Sequence, residues 1–299
     1  MPTSFNQSVI DEFRANGGKV GGPFEGGDLL LLTTTGARSG REHTTPLGYV
    51  RHEGLLLIVA SAAGAPHHPA WYHNLLAHPV VRVELGTEEF EAVAVPAEGD
   101  RRTELFAHVV RAEPGYGEYQ RNTTRPLPVV VLERSDPPAD APREIRTVAD
   151  KLLEVHAWLR AQLDHVRAEA TAHFAARSAH TGPGTPPAPG LGLQLRQHCL
   201  AFCESLEFHH ISEDTHVFPA LAERHPHLAD AFARLRAEHA TVTRVNGELL
   251  TLLADLATAD PAHFLTELDR MTEELRAHLA FEEQTILPLL AEIRLPTAP

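Results

Sequence analysis

Cysteine is scarce in this chain: its 299 residues include only two, Cys199 and Cys203. They lie four apart in one expected helix and are read as small buried apolar side chains, since disulfide staples are rare in the cytosol. Long hydrophobic runs are missing as well. No segment is apolar for long enough to span a bilayer, and the N-terminus lacks the charged-then-apolar pattern of a signal segment, so a cytoplasmic protein is expected. Positive charge is in deficit. With 26 Lys and Arg against 40 Asp and Glu, the net charge is −14, which argues against nucleic acid and anionic membrane as partners. What remains is the composition of a soluble globular protein, 43% hydrophobic and 22% charged, long enough for two domains. Histidine departs from ordinary usage: there are 20, and 13 of them follow residue 150.

Residues 134–146, RSDPPADAPREIR, join two halves of different periodicity and read as a linker. Before them, apolar β-type runs at 29–34, 46–51, 55–60, 80–85, 90–95 and 129–133 alternate with turn signals, and helical patterns fall near 4–15, 69–77 and 99–112. Strands not regularly interleaved with long helices indicate an α+β or barrel-like domain rather than a doubly wound sheet. After the join the period becomes 3.6, giving four long helices at about 147–177, 193–222, 227–257 and 261–291. TGPGTPPAPGLG at 181–192 separates the first from the second, and Pro261 fits the first turn of the fourth behind Asp260 as N-cap. Four amphipathic helices of this length make a bundle. The expected domains are 1–134 and 147–291, with a linker at 135–146 and a tail at 292–299.

Two stretches of the second half share one spacing: His209, Glu213, Asp214, Phe218, Pro219 and His278, Glu282, Glu283, Leu287, Pro288. Positions i and i+4 of a helix lie one above the other, so each copy aims an imidazole and a carboxylate at one spot. Two such helices facing each other hold two metals. Each expected helix also carries a His on its apolar stripe: His156 with Leu152, Leu159 and Leu163; His209 with Phe202 and Leu206; His239 with Phe232, Leu235, Val242 and Leu249; His278 with Met271 and Leu275. A single buried His is usually a hydrogen-bonded core residue. Four of them, two paired with carboxylates that need partners when buried, point to a metal.

With that pattern, residues 147–291 resemble the hemerythrin-like, His-His-Glu cation-binding family. The resemblance implies a nonheme diiron centre held by His156, His209, Glu213, His239, His278 and Glu282, with the carboxylates bridging or capping the irons. Ferritin-like bundles show Glu-x-x-His pairs instead and rank lower. Many members carry a second His four residues after the third-helix ligand, where this chain has Thr243. Either one iron then loses a protein ligand, or His210, His216 or a neighbouring acid takes that place, with His216, two turns along from His209, the better stand-in. Glu283 is the alternative to Glu282. His165, His173, His180, His225, His227 and His263 read as surface or loop residues.

In the first half, LLLLTTTGARSGREHTTPLGYV (29–50) is a strand, a Gly-punctuated turn bearing Arg38 and Arg41, and a second strand. Turn amides with Arg make an anion pocket. ASAAGAPHHPAWYHNLLAHP (60–79) leads a small-residue loop into a helix, an open place for a flat ring beside a helix N-terminus. Together with EPGYGEYQ (113–120) and the final VVVLE strand, residues 1–134 resemble the deazaflavin-dependent nitroreductase and quinone reductase family. That resemblance implies a split β-barrel binding coenzyme F420, with flavin mononucleotide the alternative. It places Arg38, Ser39 and Gly40 at the phosphate, Ser61, Ala62, Ala63 and Gly64 along the deazaflavin, and Trp71, Tyr72 and Asn74 around the pocket. Tyr116 and Tyr119 match tyrosines over the substrate. Ala62 stands where relatives often have Lys, and Glu113 where a substrate-side Tyr occurs.

The chain thus reads as a multidomain α+β protein, a split barrel followed by an all-α up-down four-helix bundle. The function expected is an F420-dependent oxidoreductase acting on a quinone, a nitro compound or O₂, coupled to a two-iron site that binds or reduces O₂ or a related molecule, with a homodimer through the barrel. The alternatives are a quinone or nitro-compound reductase with an independent O₂- or iron-sensing bundle, and a non-enzymatic O₂, NO or iron sensor.

Overall fold

Residues 4–135, 141–142, 144–179, 192–254 and 258–295 are described by the computed structural model. Two compact units result: Met1–Ser135 with Ala179–Ala201, and Asp136–Ser178 with Phe202–Pro299.

In the first unit the apolar runs become β1 (Leu29–Thr35), β2 (Glu42–His52), β3 (Leu55–Val59), β4 (Val80–Leu85), β5 (Glu88–Pro96) and β6 (Val129–Arg134). They close into an antiparallel barrel in the order β1-β2-β3-β6-β5-β4. Alternation separates inside from outside. Leu30 and Leu32, Leu56 and Ile58, Val81 and Val83, Ala92 and Ala94, Val130 and Leu132 share one core. The intervening residues of β1 and β6 are buried as well. Leu29 and Leu31 pack with Val9, Ile10 and Phe13 of α1 (Ser4–Ala15), and Val129 and Val131 cluster with Leu105 and Val109 of α3 (Gly99–Ala112). Two covered faces explain why these strands read as continuous apolar runs. Each such side chain stabilises by about 1.5–3 kcal/mol. Up to Gly48, β2 pairs with β1, and from Tyr49 it pairs with β3. Pro46, which has no N–H to give, falls in the half that needs one ladder only. Two short helices complete the unit: α2 (Ala70–Ala77), expected, and α4 (Gly115–Arg121), which the periodicity did not announce.

The second unit is helical. It contains α5 (Val148–Ala179, through Ser178), the later part of α6 (Gly192–Ser212), a π-helical turn over Glu213–Val217, α7 (Phe218–Arg224), α8 (Ala229–Ala254) and α9 (Pro261–Leu290). Asp260 caps α9 by accepting from the His263 amide at 2.7 Å. Cross-helix pairs fix the directions. Asp164–Arg276 and Arg167–Asp269 run α5 against α9, Glu238–His278 and Glu248–Arg270 run α8 against α9, and Asp214–Arg236 with Phe218–Phe232 set the second helical stretch against α8. The result is an up-down bundle. Leu152, Phe218, Phe232, Leu235 and Ile286 form one end of its core. Cys199 and Cys203 of α6 are buried thiols outside any disulfide.

Half of the 135–146 linker (136–140 and 143), all but the last residue of the 181–192 break, residues 255–257 at the end of the third expected helix and 296–299 of the tail lie outside the described residues, as does His180. One surface assignment is corrected. His173 is 4% exposed, because the inner stripe of α5 continues through Val166, Ala170 and Phe174 and carries it inward, its ring 5.2 Å from that of Phe174.

Candidate functional site

The bundle brings all six expected ligands into one buried cluster and adds a seventh residue. His156, His209, Glu213 and Glu282 form one group whose ligand atoms lie within 4.8 Å of one another; His210, His239 and His278 form a second. His156 Nε2 is 3.0 Å from His209 Nε2 and 3.6 Å from Glu282 Oε2. Glu213 reaches both groups, with Oε1 3.4 Å from His209 Nε2 and Oε2 3.6 Å from His239 Nε2. Glu282 does the same, with Oε2 3.8 Å from His209 and 3.7 Å from His278. The two carboxylates therefore sit between two sets of imidazoles.

This cluster costs free energy as it stands. Both oxygens of Glu213 and of Glu282, and Nε2 of His210, His239 and His278, are buried without a hydrogen bond, and each such group costs about 1–3 kcal/mol. Burial, and then Glu282, pushes the Glu213 carboxyl up to about 12. For Glu282, burial pushes upward, but the neighbouring Glu213 carboxyl and the His209 and His156 imidazoles outweigh it and hold the group ionised. Burial drives His210 down to about 2, helped by His239, His209 and His278, and it lowers His156 and His239 too. Neutral imidazoles and carboxylates converging without partners make a donor set for borderline transition metals. The residues fit such a metal.

Burial separates the residues considered as substitutes. His210 is 5% exposed and stacks on His239 with ring centroids 3.9 Å apart. His216 is exposed: the π turn holds more residues per turn than an α-helix and swings His216 off the face that His209 occupies. Thr243 is also exposed, its hydroxyl donating to the His239 carbonyl at 3.0 Å. It lies off the inner stripe of Phe232, Leu235, His239, Val242 and Leu249 and leaves no gap at the centre. Glu282 faces the cluster, while Glu283 stands behind His156 and accepts from its Nδ1 at 2.9 Å. Sequence reading favoured His216 over His210 because it followed one face of one helix. A helix with two neighbours turns adjacent residues toward both, and an HH pair on an apolar stripe is the signal for that.

The barrel has a cavity of about 890 Å³. Of the expected residues, Arg38, Ser39, Trp71 and Asn74 line it, joined by Asn6, Gln7, Ile10 and Arg14 from α1. Asn74 ties α2 to the Arg38 turn: its Nδ2 donates to Thr34 Oγ1 and its Oδ1 accepts from the Ala37 amide, both at 3.1 Å. Gly36 is required there, since a Cβ would meet Ser39 Oγ at 2.4 Å and the Arg41 carbonyl at 3.1 Å. Arg38 is exposed and pairs with no carboxylate among the described residues.

Ser61, Ala62, Ala63 and Gly64 do not line that cavity. They form a loop after β3 in which Ala62, Ala63 and Gly64 all have positive φ, at 46°, 53° and 81°. The left-handed region costs a non-glycine residue roughly 1–2 kcal/mol. Arg125 offsets this by donating to the carbonyls of Ala60, Ser61 and Ala65 at 2.8–3.1 Å and contacting His68 Nδ1 at 3.0 Å. Sequence reasoning missed Arg125, whose partners lie about 60 residues away. Tyr72 is buried beside His68, and α4 presents Tyr116 and Tyr119 with ring centroids 6.0 Å apart. Burial raises the Tyr116 and Tyr72 phenols above their ordinary range and keeps them protonated.

Comparison with known proteins gives two matches that divide the chain in the same way. Residues 6–134 match the family described as F420H(2)-dependent quinone reductase, and residues 147–290 match the hemerythrin HHE cation binding domain. An F420H(2)-dependent quinone reductase of Mycobacterium tuberculosis is 40% identical over 126 residues, 41% of this chain and 85% of that protein. A solved F420-H2 dependent reductase is 40% identical and covers 36% of this chain and 94% of its own, with a TM-score of 0.34. Another solved structure, described as a domain-swapped dimer, is 35% identical and covers 44% of this chain and 100% of its own, with a TM-score of 0.35. No helix among the described residues is long and apolar enough to cross a membrane. The chain belongs to the F420H(2)-dependent quinone reductase family through its barrel and carries a hemerythrin HHE cation binding domain in its bundle.

Proposed function

We propose that the protein is an F420-dependent oxidoreductase for quinone-type acceptors whose bundle holds two nonheme irons and shares its electrons. The observation that carries the iron reading is the set of buried, unpartnered donor atoms on His210, His239, His278, Glu213 and Glu282. The barrel reading rests on family membership, the large cavity and an Arg38 without a carboxylate partner.

A reduced deazaflavin bound there would supply a hydride, and a hydride with one proton from water takes a quinone to its quinol. The residues do the rest. Arg38 and the amides of the Gly36–Gly40 turn bind the phosphate, and Asn74 holds that turn against α2. Trp71 forms a wall of the cavity, and Arg125 keeps the Ser61–Gly64 loop in its left-handed shape beside the ring. Tyr116 and Tyr119 lie over the substrate, and the protonated Tyr116 phenol donates a hydrogen bond to its oxygen. In the bundle, His156, His209, Glu213 and Glu282 would hold one ion, and His210, His239 and His278 would hold the other. An iron pair supplies two one-electron valence changes, matching the two electrons of a hydride, with O₂ or a related small molecule as the final acceptor.

A second reading keeps the domains chemically separate, a reductase with an independent iron or O₂ sensor, and is favoured by the division into two compact units. One anaerobic experiment separates them. The iron-loaded, oxidised full chain is mixed with reduced F420, first alone and then with a soluble benzoquinone. Sharing of electrons predicts loss of the ferric bands and of reduced deazaflavin in equal two-electron amounts before quinone is added, abolished by either Arg38→Glu or His209→Ala. Deazaflavin oxidation that needs quinone and leaves the ferric bands intact establishes the second reading.

A further inference from the structure

Two imidazoles at the centre are held from behind by a carboxylate that is itself held by an arginine. A carboxylate accepts only, so each of these imidazoles donates from Nδ1 and turns Nε2 inward. His156 Nδ1 donates to Glu283 Oε1 at 2.9 Å, and Arg160 Nη2 donates to the same oxygen at 2.7 Å. His278 Nδ1 donates to Glu238 Oε2 at 2.9 Å, and Arg234 Nε donates to Glu238 Oε1 at 2.7 Å. Each support crosses between helices: Glu283 follows the site residue Glu282 but serves α5, and Glu238 precedes His239 but serves α9. His156 belongs to the four-residue group and His278 to the three-histidine group, so each group has one complete relay.

We propose that Arg160 and Arg234 are positioning residues that set the redox poise of the iron centre, one through each ligand group. The inference rests on the two-iron reading above. A carboxylate that accepts the Nδ1 proton of a ligating imidazole raises the electron density at Nε2 and favours the higher metal valence. An arginine on the same carboxylate draws off part of that charge and weakens the pull. Removing the arginine therefore shifts the equilibrium toward the oxidised centre, and removing the carboxylate shifts it the other way. Arg160 acts more strongly than Arg234, because its side chain is 25% exposed against 60%, and solvent screens the more exposed charge.

The test is spectroelectrochemical titration of the iron-loaded full chain, with iron content measured on every sample. Arg160→Met is expected to favour the oxidised state about tenfold, which is about 59 mV for a one-electron step. Glu283→Gln is expected to move the same step in the opposite direction, and Arg160→Lys to recover most of the wild-type value. Arg234→Met and Glu238→Gln repeat the opposed pair at the other group with a smaller amplitude, and they decide the matter if Arg160→Met fails to retain iron. Shifts of the same sign for arginine and carboxylate variants, or shifts under twofold at full iron content, overturn the proposal and leave the relays as packing. A wild-type chain that takes up no iron overturns the two-iron reading instead, and the relays with it.

Discussion

In the bundle, most of the polar atoms turned toward the centre are buried without a hydrogen bond, whereas in the barrel the groups around the cavity are exposed or satisfied by their own neighbours. Nε2 of His210 and both carboxylate oxygens of Glu213 and Glu282 have no hydrogen bond within the protein. Asn74, by contrast, has both ends of its amide occupied, and Arg38 faces water. The first kind of site pays in stability until its ligand arrives. The second is finished as protein and waits for a ligand at no cost to the fold. Without metal the bundle should therefore be destabilised by its own unmet groups, while the cofactor-free barrel should carry no such cost, and each ligand adds its mass-action stabilisation when bound.

The largest effect expected is from iron. Free iron at 100 times its dissociation constant adds about 2.7 kcal/mol per site, so chelation should lower the calorimetric transition of the bundle by several degrees and leave that of the barrel in place. His209→Ala should abolish most of that difference and leave less than half of the iron. Equal transitions with and without chelator would break the contrast between the two sites.

Next comes pH, which sharpens the same contrast in the metal-free protein. Glu213 moves from 4.5 to about 12 on folding, so its contribution is complete below pH 4.5 and is lost as pH rises. The lowered imidazoles of His156, His210 and His239 contribute fully above their ordinary 6.5 and lose that contribution on acidification. Stability of the chelated bundle should thus peak near pH 6.5 and fall on the alkaline side by up to roughly 1.4 kcal/mol per pH unit. Glu213→Gln, or bound iron, should flatten the alkaline limb. A flat limb in the chelated wild type would show that Glu213 has a partner after all.

In the barrel, Arg38→Glu should weaken F420 binding by about 1.5–3 kcal/mol, the size of a charged hydrogen bond, with the melting temperature unchanged. Fluorescence titration measures it, and equal affinities would remove Arg38 from the phosphate. If neither protein binds F420 but both take up flavin mononucleotide, the fold stands and the cofactor changes. The smallest effect expected is His216→Ala, within about 0.5 kcal/mol and with full iron content. Loss of iron there would return His216 to the centre.

Much of this was legible in the residues. The six strands and the helices at 4–15, 70–77 and 99–112 follow from apolar runs and turn residues. The i, i+4 pairs gave His209–Glu213 and His278–Glu282 directly, because helical geometry makes such neighbours meet. What stayed hidden depends on more than one helix. His209 and His210 point about 100° apart, one toward His156 and the other toward His239, which cannot be seen while α6 is considered alone. The π turn breaks the identity of the two copies, so that His216 leaves the inner face in the first copy while the second runs on as an unbroken helix. Arg125 and the left-handed Ala62 and Ala63 were invisible for another reason: no local pattern marks a loop shaped by an arginine that arrives from the far end of the barrel sequence.

The most direct measurement is the iron content and visible spectrum of the full chain after anaerobic loading with ferrous iron, desalting and exposure to air. Two irons per chain with ferric absorption, falling to about one in His210→Ala, is the predicted result. Less than a tenth of an iron per chain would contradict a two-iron centre.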